Sequence, residues 1–575
     1  MRRWHRAVGL VALGFGALAA LQLAAAPAAA APPWRTADIS GGDVRSLAFV
    51  PADPQVVVAG TASGQVYLSR DGGGTWRHAG RVYALPGWVV ASLHFDVNRP
   101  QRLWAGLRGM WGGGAVVASD DLGASWEVRA VRPDDGLFTL SSVPGEEGRL
   151  VIGTDSGVWG SADDGATWRH LSAGHAGIVE VSSLLVDPQR PQILIAGTFR
   201  RAYRSDDGGA TWRGVFDGMV LDSQIFSLQP VPGKPGSVWA STCGWVYRTL
   251  DRGESWTRFK DGLAERRTTS FQVLPNGRLL AGTVAGMYVS DDGGARWQRR
   301  SRADLAILAI AHHRARPDVV LAGTEGSGVW RSEDGGTTYR PASRGLTSAR
   351  VSALSVGGDE LLVAVAHGGP VSGIYASRDG VRLLHQFADI PTVLALAAGG
   401  GEPLAATERG LFRRRQGIWQ RVPALGETRV DQVRVEGGRV LVRTADGVLE
   451  ERQQRFEPAV SQAWRAASRE GSHGELTARW EGQGAGRSRL LQTGSEGYPR
   501  LVVGEGEARL YRESDGRWHS LRLPFPARDV LAAAVFRDRL YLGTSGYGLV
   551  SAALDELLEP AGGGSPVSAG APRSP

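Results

Sequence analysis

Between residues 44 and 79 the chain alternates short apolar runs with turn-forming breaks. Val44 to Val50 is the first run, closed by Pro51-Ala52-Asp53-Pro54. Val56 to Thr61 is the second, and Ala62-Ser63-Gly64 separates it from a third, Gln65 to Ser69. A compact turn, Ser69-Arg70-Asp71-Gly72-Gly73-Gly74-Thr75, then leads to Trp76, which opens a fourth. Short runs rich in β-branched and aromatic residues, bounded by Gly, Pro and Asp, read as strands. The arrangement recurs along the chain and no useful stretch of helical period interrupts it. The pattern therefore predicts an all-β protein built from repeated four-stranded units.

The turn before the fourth strand is the most regular part of the repeat. Its aspartate falls at 71, 121, 163, 207, 251, 292, 334 and 379, mostly in steps of the low forties. Ser161 to Trp168 and Ser205 to Trp212 are full copies, and Ser119 to Trp126 and Thr249 to Trp256 keep every role. Ser290 to Trp297 places Arg296 where Thr is expected, Ser332 to Tyr339 exchanges Trp for Tyr, and Ser377-Arg378-Asp379-Gly380 loses the aromatic. A period of this length matches one propeller blade. The chemistry suits a structural role. Gly73 and its equivalents tolerate positive φ, and the Asp, Ser and Thr side chains can bond open backbone N–H groups. The Trp offers a large apolar face to bury between blades. Asp71, Asp121, Asp163, Asp207, Asp251, Asp292 and Asp334 are accordingly read as structural.

The motif resembles the Asp-box, or BNR, repeat over roughly residues 40 to 380. That family includes sialidases, xyloglucan-active glycoside hydrolases, sortilin-type receptors and photosystem II assembly-factor-type propellers. The resemblance implies a β-propeller and leaves function open, because the family holds enzymes and binders alike.

About twelve blades can be counted by their second strands, and the stretch 456–495 leaves room for a thirteenth. Single rings usually carry about four to eight blades, so two tandem rings are expected, at 31–300 and 301–553. One ring of about ten blades, as in the sortilin type, is the alternative. The last blade, 528–552, lacks an outer strand, while Trp34 to Ile39 reads like a free one. The N-terminal segment is expected to complete the last blade.

Residues 1–30 read as a secretory signal, with Arg2, Arg3 and Arg6 before the apolar run Val8 to Leu23 and Ala28-Ala29-Ala30 before the cut. An uncleaved membrane anchor is the other reading. The tail 554–575 is Gly/Pro/Ser-rich and expected to be disordered. The formal charge of +7 falls to +4 without residues 1–30. No basic run with interleaved aromatics points to nucleic acid, and no second membrane span is expected. Arg413-Arg414-Arg415 reads as a solvated strand edge. The single cysteine, Cys243, excludes an internal disulfide and reads as a small buried residue. No metal-ligand spacing is present, since His312 and His313 are neighbours on a strand and face opposite ways. No cofactor is expected.

The Asp turns should all lie on one face of the propeller. Binding chemistry is therefore expected on the other, where the turns between second and third strands meet the loops that link blades. Those segments carry Arg108 and Trp111, Arg200 and Arg201, and Trp245, the expected binding face. They also carry Glu325, His367, Glu408, Arg409 and Tyr547, with Trp88, Asp134, Asp135, His175, Asp222, Arg266 and Arg267 in inter-blade loops. Arginines and aromatics on a rigid face suit a protein or peptide partner, with carbohydrate as the other ligand class.

No catalytic residue is identified. The Arg-Ile-Pro segment that supplies a sialidase's first arginine is absent. A xyloglucanase-like hydrolase needs two carboxylates across a cleft. Asp134, Asp135, Asp217, Asp222 and Asp304 are available for that role, in no motif of that family. The sequence is read as an exported, monomeric, non-catalytic double propeller acting as a scaffold in the cell envelope. A secreted glycoside hydrolase is the alternative.

Overall fold

The computed structural model describes residues 34–558 apart from 38, 83–87, 110–111, 133, 221–223, 264–266, 367–371, 388–389, 399–401, 460–488 and 505–506. The leader of residues 1–30 lies outside these, as does the thirteenth blade sought in 456–495 for most of its length. Among the described residues the fold consists of twelve four-stranded antiparallel sheets, or blades, and one two-stranded ribbon. Blades 1 to 7 span 44–81, 88–132, 137–170, 183–214, 227–259, 268–299 and 307–341. Blades 8 to 11 span 350–387, 393–421, 432–458 and 489–521, and blade 12 is 530–553 with an added strand.

The core is divided among the joints between blades. Each hydrophobic cluster draws on two neighbouring blades, so burial holds blade to blade. Seven such clusters run from blade 1 to blade 7 and back to blade 1, where Val44, Val57 and Tyr67 meet Leu321 and Val329. The first ring is thus seven blades and closes on itself. In the second ring, blade 12 returns to blade 8, with Phe536 and Tyr541 against Val351 and Leu361. Small residues permit both closures. A Cβ on Gly323 would stand 2.8 Å from Val44 Cγ1, and one on Gly543 would stand 2.7 Å from Val351 Cγ1. Blade 7 therefore belongs to the first ring, and the rings divide between Pro341 and Arg350, a blade later than the boundary expected at 300.

A second repeat runs through both rings. Thr61, Thr154, Thr283, Thr324, Thr407, Thr444 and Thr544 each end a second strand, and Thr198 and Thr242 directly follow one. Each turns its hydroxyl onto a carbonyl three or four residues on. All nine are buried. At Thr154, Thr198, Thr242, Thr324 and Thr544 the same carbonyl also accepts the threonine's own N–H, so the hydroxyl adds a second bond that fixes the turn on the face opposite the Asp turns.

The Asp turns behave as the sequence implies. Asp163 accepts from Ser161 Oγ at 2.8 Å, Thr167 N at 2.8 Å and Thr167 Oγ1 at 2.6 Å, while Gly165 N donates to Ser161 Oγ at 2.9 Å. The Thr167 hydroxyl, then its N–H and the Ser161 hydroxyl, hold the Asp163 carboxyl down to about 2. Asp207 is lowered in the same way, at Asp334 burial opposes the charge but Thr338 and Ser332 outweigh it, and Asp292, which faces Arg296 in the Thr place, is lowered by the Arg296 N–H and the Ser290 hydroxyl. A carboxyl depressed in the folded state adds stability that is present above its unfolded value of about 3.9 and is lost as pH falls through the folded value. The melting temperature should therefore fall between about pH 4 and pH 2. Asp163→Ala should lower it at neutral pH and flatten that acid decline, by differential scanning calorimetry against pH. An unchanged acid slope would remove this role.

At some Asp turns the Trp also latches onto the neighbouring blade, whereas the Trp126 and Trp168 indoles bond carbonyls of their own turns. Trp256 donates its backbone N–H to Asp217 O at 2.9 Å and its indole N–H to Val215 O at 2.9 Å. Trp76 does the same across the closing joint, to Arg344 O at 2.8 Å and Ala342 O at 2.8 Å. The first ring is closed by the latch that also joins blades consecutive in sequence.

The second ring, where the Asp turn fades, uses charge at its joints. Arg413 pairs with Glu451 of blade 10 and Arg414 with Glu360 of blade 8, all four side chains being 13–16% exposed. Arg415 pairs with Glu402 at 3.1 Å. The expectation of a solvated edge is corrected: successive strand residues face opposite ways, so Arg413 and Arg414 reach the blades on either side.

Blade 12 takes its outer strand from the N-terminus. Arg35–Thr36 pairs antiparallel with Leu549–Ala553, in the register Arg35 to Ser551 and Thr36 to Val550. Ile39 is buried in the joint between blades 12 and 8. The chain then crosses to the first ring through Gly41–Gly42, which pairs in parallel with Thr347–Ser348 on the way back. At this crossing Ser63 Oγ lies 3.0 Å from Gly546 O and 3.1 Å from Ser348 Oγ, so the rings touch directly. Two further expectations are corrected. Leu554–Leu558 forms a helical turn, because Leu554, Leu557 and Leu558 share a face that packs on the last two blades. Cys243 is exposed, because it follows the capping Thr242 in a turn that points outward.

Candidate binding face

The turns that follow the buried threonines form the face opposite the Asp turns. Each is pinned at its base, so what it carries is held in place. In blade 4, Thr198 Oγ1 accepts from the N–H groups of Arg200 at 3.3 Å and Arg201 at 3.1 Å and donates to Arg201 O at 2.9 Å. Phe199, 45% exposed, and Arg200 stand out from this turn, while Arg201 lies over the Phe216 ring at 4.5 Å. In blade 5 the half-buried Trp245 occupies the corresponding turn, with Arg258 5.7 Å from its ring.

Blade 2 departs from the rule. It has no capping threonine, and its second strand runs on as Leu103–Gly109 against Trp88–Phe95. Arg108 sits in that extension, 3.9 Å from the Phe138 ring, with Nη2 3.2 Å from Asp155 Oδ1. Trp111 lies outside the described residues, as do Asp222, Arg266 and His367. The described candidates therefore lie along an arc through blades 2, 4 and 5, and no hydrogen bond or ring contact joins them into one pocket. Arg267 lies 5.4 Å from the Phe226 ring. Glu325 stands 4.0 Å from Arg45, Glu408 stands 3.7 Å from Arg429, and Arg409 pairs with Glu427 at 2.8 Å.

A cluster between blades 2 and 3 escapes sequence reasoning. Asp135 accepts from Ser156 N at 2.9 Å, Ser156 Oγ at 2.8 Å and Arg132 Nε at 2.9 Å. Asp155 accepts in return from Gly136 N at 2.7 Å. Burial opposes the Asp135 charge, but bonds from Ser156, Thr154 and Arg132 outweigh it and hold the carboxyl below the usual range. Trp159 is sandwiched between the Arg132 guanidinium at 3.6 Å and the stacked His170 ring at 4.4 Å, so both its faces are taken. The pairing of Asp-Gly before one strand with Asp-Ser in the following turn was the available signal.

Of the other loop acids, Asp304 is engaged through its carboxylate and Asp217 through its backbone carbonyl. Arg302 grips Asp304 at 2.8 Å and lowers its carboxyl. Asp217 belongs to the latch on Trp256, so it lies beside an Asp turn and off the opposite face. Asp529 differs. Burial raises its carboxyl, with Ser545 and the charges of Arg81, Arg528 and Arg489 opposing. It lies at the ring seam, where Tyr547 stacks on Phe525 at 5.0 Å and faces Arg81 of the first ring at 5.4 Å. Among the described residues no group of three or more His, Cys, Asp and Glu side chains is placed to hold a metal ion, and no helix is long and apolar enough to cross a membrane.

No family model matches the chain, and no curated protein matches it. Solved structures do. An ancestral GH74 enzyme superposes with a TM-score of 0.64 at 13% identity, over 92% of this chain and 100% of its own. The GH74 xyloglucanase from Xanthomonas campestris gives 0.58 at 17% identity, over 90% and 99%. The Niastella koreensis GH74 enzyme gives 0.56 at 14%, over 92% and 100%. At these identities the similarity is one of fold: the chain shares the β-propeller architecture of these proteins over nearly their whole length.

Proposed function

We propose that the protein is an exported, non-catalytic binding scaffold that engages a protein or peptide through the first ring's face opposite the Asp turns. The observation that carries this reading is the blade 4 turn. It exposes an aromatic, Phe199, beside a cation, Arg200, on a backbone fixed by a fully buried threonine. Pre-organised aromatic and arginine anchors cost little ordering entropy on binding. The engagement of the Asp135 and Asp304 carboxylates in local bonds also favours binding over acid–base chemistry. Replacing Phe199 with Ser and Arg200 with Glu should remove cross-linked partners from a pull-down of the exported protein while leaving the melting temperature unchanged. An unchanged partner list would sink this site.

The second reading is a secreted glycoside hydrolase. Two observations favour it: the GH74 fold similarity over some nine-tenths of the chain, and a carboxyl, Asp529, raised by burial at the seam between rings, as a general acid requires. Release of reducing ends from polysaccharides, lost in Asp529→Asn, would establish it in place of the first.

A further inference from the structure

Asparagine occurs only at 98 and 276, in opposite surroundings. Asn98 is locked. Its Nδ2 donates to Val143 O at 2.9 Å and to Glu146 O at 3.1 Å, and its Oδ1 accepts from Gly145 N at 2.9 Å. Asn276 is exposed in the hairpin turn between the first two strands of blade 6, and Gly277 follows it. Its Oδ1 accepts from Arg278 N at 3.1 Å, and its Nδ2 makes no hydrogen bond among the described residues.

The Oδ1 bond also positions the side chain. A bond to the N–H two residues on folds an asparagine over the intervening peptide, which carries the carboxamide carbon toward the Gly277 nitrogen. Bringing two reacting groups together in this way supplies much of the drive of an intramolecular reaction. Gly277 leaves its nitrogen unshielded, since it has no Cβ, and the space a Cβ would fill is empty to 4 Å. The Gly277 N–H is held by Leu274 O at 2.9 Å. That bond closes a single surface turn, and opening one such turn costs far less than unfolding the ring.

We propose that Asn276 is a site of spontaneous deamidation, and that its isoaspartate product loosens the joint between blades 6 and 7. The Gly277 nitrogen attacks the Asn276 carboxamide carbon. A C–N bond forms, the bond to Nδ2 breaks, and the amide leaves as ammonia with the proton of the attacking nitrogen. Water then opens the cyclic succinimide at one of its two carbonyls. One opening gives aspartate, and the other gives isoaspartate, which adds a methylene to the backbone path. The net reaction consumes one water and releases one ammonia.

The consequence falls on Arg278. Its Nε pairs with Asp291 at 2.6 Å, and its Nη1 reaches Gly335 O at 3.0 Å and Thr337 Oγ1 at 2.9 Å. It ties the Asp turn of blade 6 to that of blade 7, away from the proposed binding face. Aspartate at 276 keeps the chain length and an oxygen for Arg278 N. Isoaspartate displaces Arg278 along the chain and draws its guanidinium off blade 7.

Ageing the folded full chain in mildly alkaline buffer, with peptide mapping by mass spectrometry, tests the first step. Asn276 should convert progressively and Asn98 should not, and enzymatic methylation should report isoaspartate in the Asn276 peptide. Asn276→Gln, whose longer side chain closes the ring poorly, should show no conversion. Calorimetry tests the second step. The isoaspartate fraction, separated by ion exchange, should melt its first ring about 2 °C or more below the fresh chain. Asn276→Asp, which carries the charge without the added methylene, should melt with the fresh chain. An Asn276 that survives ageing, or equal conversion at Asn98, would overturn the site. An isoaspartate fraction that melts with the fresh chain, or an Asn276→Asp variant that melts as low as that fraction, would overturn the role given to Arg278.

Discussion

Deleting residues 34–40 is expected to remove the second ring's cooperative unfolding transition while the first ring's survives. The segment makes four separate contributions to the last blade and its closing joint. Arg35–Thr36 supplies the outer strand, and Ala37 N donates to Leu549 O at 2.8 Å. The Trp34 indole bonds Arg522 O at 2.8 Å and packs against the blade 11–12 cluster. Ile39, 2% exposed, fills the joint that closes the ring. Loss of a buried isoleucine alone costs about 2–5 kcal/mol, and the strand and indole bonds add about 1 kcal/mol each. A total above about 5 kcal/mol rivals the whole stability of a domain. Calorimetry of the full chain should show two transitions and that of the truncated chain one, with Ile39→Ala between them. A thermogram unchanged by the deletion would refute closure by this strand.

The second large effect concerns the first ring. Gly345 has φ +82°, and a Cβ there would stand 2.0 Å from the carbonyl oxygen of Trp76. Gly218 and Gly262 repeat the geometry against Trp256 and Trp297, at 2.0 and 2.3 Å. An alanine cannot be accommodated, because the obstacle is backbone held by the latch itself. Gly345→Ala should therefore destabilise by about 3 kcal/mol or more, combining left-handed strain with a displaced latch. Gly174 occupies the same repeat position at φ +84° with nothing within 4 Å, so Gly174→Ala should cost only the backbone term, about 1–2 kcal/mol. Chemical denaturation of both variants isolates the latch as their difference. Equal losses would mean that the close approach to Trp76 contributes nothing.

Much of this architecture is legible in the residues. The Asp turns announce themselves because one carboxylate, a hydroxyl two residues before it and a glycine recur at fixed spacing, and the turns at Asp292 and Asp379 close even without the second hydroxyl. The N-terminal strand is legible because the last blade visibly lacks a partner. The ring boundary is less so. Blade 7 carries a weakened turn ending in Tyr339, yet what assigns it to the first ring is Gly323 meeting Val44, a contact between distant residues that no local pattern records. Two further repeats lie in the sequence: the threonine after Ala-Gly or its like, and the glycine six residues past Trp168, Trp212, Trp256 and Tyr339. The threonine persists where the Asp turn decays because it serves a turn within its own blade, so it marks blades in both rings. The Arg413–Arg415 run misleads for the opposite reason. Its partners, Glu451 and Glu360, come from two other blades, and a run of charge is neutral in character until those are known. The candidate face was legible as a face and its separate residues as types. The pairing of Arg108 with Asp155 and of Trp159 with His170 depends on blades meeting, and emerges only in three dimensions.

The strand borrowed from the N-terminus sets an order of assembly. Trp34 and its partner Arg522 are 488 positions apart, so the first part of the fold to be synthesised is among the last to be placed. The seven-bladed ring can zip shut by its latches as soon as Arg344 and Gly345 emerge. The other ring must hold its beginning unpaired until blade 12 arrives, and such a long loop closes slowly. Until that pairing forms, the N-terminal strand and, once it is made, the edge at Leu549–Ala553 are each open to the wrong neighbour. Short as it is, a two-residue strand offers little template for such mispairing.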